Sequence, residues 1–93
     1  MAILIDTARW ARAGDGQQFA HLASDRSREE LHAFVVRLEL PRRLRFHDDH
    51  YDVPAQWWDI VVSRGAEVVT TRELVRRLRV AGLRRSRRSR GRG

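Results

Sequence analysis

Two helix starts are written into this chain more firmly than anything else, and they limit the folds open to it. Ser27-Arg28-Glu29-Glu30 and Thr70-Thr71-Arg72-Glu73 both have the form of a capping box. In such a box the first hydroxyl accepts an amide three residues on, and the acid reaches back. Leu31, Phe34, Val35 and Leu38 then follow the i, i+3, i+4, i+7 spacing of one apolar stripe, and Pro41 stops that helix. Leu74, Val75 and Leu78 line the second helix, which Gly82 ends. A third helix is predicted between them: Pro54 suits its first turn, Trp57, Ile60 and Val61 give it a buried face, and Gly65 caps it.

Helices with one apolar stripe need a surface to cover. Ala2-Ile3-Leu4-Ile5 is a short continuous apolar run ending at Asp6, as expected of a buried parallel strand. Arg43–Phe46 alternates like an edge strand, and Glu67–Val69 reads as a third strand. Thr7–Arg26 is long for a plain connection, so a short helix near Gln17–Leu22 or a functional loop is expected there. Strand followed by helix, three times over, predicts an α/β fold. The expected form is a small three-layer-like domain with a short, mainly parallel sheet of about three strands flanked by helices.

Ninety-three residues make one domain. All 19 basic residues are arginine, and six of them (Arg84, Arg85, Arg87, Arg88, Arg90, Arg92) lie in a terminal stretch without acids. Removing those six from the net charge leaves 7 − 6 = +1 for residues 1–83. The expectation is one near-neutral domain over 1–83 and a disordered, arginine-rich tail over 84–93. GC-rich coding DNA would give the same arginine bias. With no cysteine, disulfides and thiolate chemistry are excluded. The opening MAILID is too short and too soon interrupted for a signal peptide or membrane span, so no membrane partner and a cytoplasmic location are expected.

Parallel sheets bind ligands at the carboxyl ends of their strands. The expected topology sends Asp6, the string His47-Asp48-Asp49-His50-Tyr51-Asp52, and Thr70-Thr71-Arg72 to one such rim. Imidazole and carboxylate suit divalent metals, which activate water or grip phosphate. Asp6, Asp49, His50 and Asp52 are the candidate ligands, and His21, His32 and His50 the candidate acid–base groups. The competing reading is structural at each position: Asp52 capping the Pro54 helix, His32 paired with Glu29 or Glu39, His21 and Asp25 a surface pair one helical turn apart. Trp58 and Val62 form a second apolar edge, suited to covering the long loop or to a homodimer contact. Trp10, between Arg9 and Arg12, suits packing or base stacking. The six tail arginines, extended by Arg76 and Arg79, suit nucleic acid or another polyanion.

The strand ending in Asp6, HLASD at 21–25, EELHAF at 29–34, DHYDV at 49–53 and GAEVVTTREL at 65–74 together resemble the DUF4031 family of small bacterial and phage proteins. The resemblance covers residues 2–83 and implies one domain without assigning a reaction. It makes His21, Asp25, Glu30, His32, His50, Tyr51 and Asp52 family-pattern positions. For the whole chain, nucleic-acid or polyanion binding through the tail ranks first. A metal-assisted hydrolase or nuclease acting on a phosphate ester, with a divalent metal as cofactor, comes second. A dimeric accessory factor comes third. For the rim alone, catalysis ranks above binding.

Overall fold

The computed structural model describes residues 2–7, 10–11 and 18–83, and of 10–11 the backbone alone. Its strands are β1 (Ile3–Ile5), β2 (Trp10–Ala11), β3 (Gln18–Ser24), β4 (Arg45–His47), β5 (His50–Pro54) and β6 (Glu67–Val68). Its helices are α1 (Arg28–Leu38), α2 (Trp58–Ser63), entered through a 3₁₀ turn at Ala55–Trp57, and α3 (Thr71–Val80). Five strands lie in the order β4-β5-β3-β1-β6, and β2 pairs with the far end of β3.

The chain is α/β as expected, but its sheet is mixed and mostly antiparallel. Among the described pairings, β1–β6 alone is parallel. Two segments account for the difference. Gln17–Leu22, expected to be helix or loop, lies largely within β3, the central strand. The string 47–52, expected to be a rim loop, is a β-hairpin instead: β4 and β5 close on His47 and His50 across Asp48 and Asp49. Asp48 takes a left-handed φ of 46° there, a conformation that aspartate tolerates better than most residues. The expected edge strand does sit at an edge, as β4.

Strand alternation divides the core between the two faces. Ile3, Ile5, Ala20, Leu22 and Val53 pack with Leu31, Phe34 and Leu38 of α1 and with Val61 of α2. Leu4 and Ala23 point the other way, onto Leu74 and Leu78 of α3. Both helix starts form where the capping residues predict. The Ser27 and Thr70 side chains accept from the amides of Glu30 and Glu73. The acids do not reach back: Glu30 takes the Ser24 hydroxyl at 2.5 Å, and Glu73 grips Arg76. The 3₁₀ turn that opens at Pro54 has no side-chain cap, so Asp52 does not serve it. Glu39, in a left-handed conformation ahead of Pro41, ends α1. No helix of the described residues is long and apolar enough to cross a membrane.

Candidate metal centre on the β3–β5 face

The polar residues meet on a face of the sheet rather than at a rim. His21 lies two residues before Ala23 on β3, and so shares the face that α3 partly covers. Asp52 is the cross-strand partner of His21, and His47 that of His50. Directly opposed residues of an antiparallel pair share a face, so register alone gathers His21, His47, His50 and Asp52.

Asp6 joins them through a break in strand pairing. Ile5 pairs with Leu22 and Trp10 with Phe19, so the β1–β2 side carries extra residues between these pairs. At Asp6 the ladder is half made. Its amide donates to the His21 carbonyl at 3.2 Å. The His21 amide, however, donates to the Asp6 carboxylate (Oδ1, 2.6 Å) instead of to the Asp6 carbonyl. That carbonyl accepts the Trp58 indole N–H at 2.8 Å. The other carboxylate oxygen, Oδ2, meets His21 Nδ1 at 2.7 Å and accepts the Thr71 hydroxyl at 2.7 Å. Asp6 is fully buried. Burial alone would raise its pKa, yet the hydrogen bonds from His21 and Thr71, with the attraction of His21, hold it below the ordinary value.

His50 is held in the same way. Its Nδ1 lies 2.8 Å from Oδ1 of Asp49, itself nearly buried. The His50 ring stands edge-on to His21, with centroids 4.9 Å apart. Asp52 Oδ1 is 3.5 Å from His50 Nε2, and its Oδ2 is 3.2 Å from His47 Nε2. One ligand atom each from His21, His50 and Asp52 falls within 4.8 Å of the others. Two atoms sharing one ion at about 2.1 Å are at most about 4.2 Å apart, so any pair of the three standing beyond that distance would have to close in on a bound ion. With Nδ1 of each histidine turned to a carboxylate, Nε2 is the atom each presents.

Asp6 and the 47–52 string therefore converge. Asp6 and Asp49, expected as ligands, each hold a histidine ring nitrogen. His21, expected as acid or base, has a donor atom grouped with those of His50 and Asp52. His47 and Thr71, both expected near Asp6, complete the setting with Trp58, whose indole bond to Asp6 no local signal in the sequence announces. His32 is not brought there. It lies on the opposite face, with Nδ1 2.7 Å from the Tyr51 hydroxyl and its ring against Phe46, rather than with Glu29 or Glu39. Asp25 does not pair with His21; it accepts from the Ala2 amide and from Arg77.

Of the basic residues considered, Arg76 is engaged by Glu73 and Arg79 is exposed on α3. Arg84, Arg85, Arg87, Arg88, Arg90, Arg92 and the Trp10 side chain lie outside the described residues. Trp58 and Val62 are half-buried against the core of their own chain.

A family profile described as a protein of unknown function, DUF4031, matches residues 3–81. The chain belongs to the DUF4031 family. No curated protein and no solved structure matches it. The match to DUF4031 spans β1 through α3, and so takes in every residue of the cluster.

Proposed function

We propose that this DUF4031 chain is a metal-assisted hydrolase of a phosphate ester, with the ion held by His21, His50 and Asp52. One observation carries the reading: each of the two histidines has a ring nitrogen fixed by a buried or nearly buried carboxylate, beside a third donor within reach. Metal-ligating histidines are habitually held by such carboxylates, which set the tautomer and strengthen the ligand. Two imidazoles and one carboxylate leave coordination positions for water and substrate. An ion there would supply a Lewis acid and activate water. His47, at the solvent edge of Asp52, is placed to take up the proton that water releases. The attacking water would form the new P–O bond as the ester P–O bond breaks, and the leaving oxygen would depart as an alcohol on taking a proton from solvent or from protonated His47. The arginine-rich stretch 84–93 fits the same substrate class, since each arginine–phosphate contact adds affinity without sequence preference.

The test is calorimetric titration of Mg²⁺, Mn²⁺ and Zn²⁺ into the full chain, beside His21→Ala and Asp52→Asn. Saturable, one-to-one binding lost in both variants, with hydrolysis of a chromogenic phosphodiester by the loaded protein, is expected. A folded protein that takes up no ion sinks the reading.

A further inference from the structure

Asp52 also lines a cavity of about 180 Å³ at the open edge of the sheet, together with Phe19, Trp57, Arg42, Arg43 and Arg45. Three of its lining residues are thus arginines, gathered at one cavity. Arg76 and Arg77 are tied to acids on or beside α3, and Arg28 donates to the Asp48 carbonyl. Among the described residues, no carboxylate pairs with Arg42, Arg43 or Arg45. Arg45 makes the point sharply. It is the cross-strand partner of Asp52, yet Asp52 turns its oxygens to His47 and His50. A guanidinium facing solvent beside a cavity is a ready-made phosphate ligand. Phe19 and Trp57 give the same cavity two aromatic walls, and aromatic rings beside basic groups are how proteins hold an unpaired base and its backbone.

We infer that this cavity is a nucleotide subsite: a base lodges against Phe19 and Trp57, and its phosphate meets Arg42, Arg43 and Arg45 next to Asp52. The inference rests on the metal-site reading only in making that phosphate the one attacked. It gives the substrate class of the site as nucleotidyl phosphate esters, not phosphate esters at large. The volume suits one base rather than a paired duplex, so the nucleotide enters unpaired.

The experiment is calorimetry on the full chain with AMP, ribose 5-phosphate and inorganic phosphate. AMP is expected to bind about tenfold or more tighter than ribose 5-phosphate, the order of one base–aromatic stack. Arg43→Gln/Arg45→Gln should weaken AMP and ribose 5-phosphate alike by about tenfold, with Mn²⁺ binding unchanged. Phe19→Leu should erase the preference for AMP while leaving ribose 5-phosphate as before. Equal affinity for AMP and ribose 5-phosphate in the wild type overturns the subsite, as does AMP binding indifferent to the double arginine change. The Mn²⁺ titration separates the two readings. Nucleotide binding without metal binding defeats the metal centre alone, and metal binding without base preference defeats the subsite alone.

Discussion

A carboxylate taken out of water needs a donor for each oxygen, and this domain answers that need twice with different results. Asp6 is served by a neighbouring strand, a hydroxyl and a histidine, which makes it part of the candidate centre. Asp25, just past the other end of β3, is served by the Ala2 amide and by the Arg77 guanidinium at 2.6 Å. Burial pushes the Asp25 pKa up, but those hydrogen bonds and the positive charge of Arg77 bring it below its ordinary value. A carboxyl group whose folded pKa is depressed contributes stability that is complete above its unfolded pKa, near about 3.9. That contribution is lost as pH falls through the lower, folded value. Asp25→Asn should therefore cost roughly 1–3 kcal/mol at neutral pH. In urea unfolding at stepped pH, its gap to the wild type should close below about pH 4. A gap that stays constant with pH would mean that the charge of Asp25 does not matter. The sequence shows that an acid after an apolar run needs partners. It does not show which, because the partners of Asp6 come from β3, α2 and α3.

At the scale of elements, what was legible follows from how local each signal is. Ser27 and Thr70 announce α1 and α3 because capping is settled within four residues. β3 is different. Gln18–Ser24 holds Ala20, Leu22 and Ala23 buried, with Ala23 and its neighbour Leu22 on opposite faces. A central strand covered on both sides has no alternation to read, and alanine is a poor strand marker. Without β3 the pairing that aligns His21 with Asp52 is not legible, so the sequence offers Asp6, Asp49, His50 and Asp52 as the donor set and leaves His21 among the acid–base groups. α3 gives a direct check on local against tertiary control. Thr70 caps it, and Thr71, the first residue of the helix, ties it to Asp6. Thr70→Ala should lower stability by about 0.5–2 kcal/mol, read as a shifted urea midpoint with an unchanged slope. No shift would mean that the Thr71–Asp6 bond, not the cap, sets where α3 begins.

For the whole molecule, charge is distributed as the composition suggests: residues 1–83 carry +1 by the arithmetic above, and 84–93 the remaining six positive charges. Affinity for single-stranded nucleic acid should accordingly depend steeply on salt. Replacing all six terminal arginines by glutamine should flatten the slope of log K against log salt by up to about 4, leaving Mn²⁺ binding untouched. An unchanged slope would assign the electrostatics to Arg42, Arg43 and Arg45 instead. One feature of the topology bears on stability as well as chemistry. His21 stands on β3 and His50 and Asp52 on β5, while α1 and β4 lie between them along the chain. An ion shared by the three would fasten a long loop shut at its neck, as a cross-link does. In a chain without a single cysteine, such an ion would be a removable staple. Occupancy and resistance to unfolding would then rise and fall together.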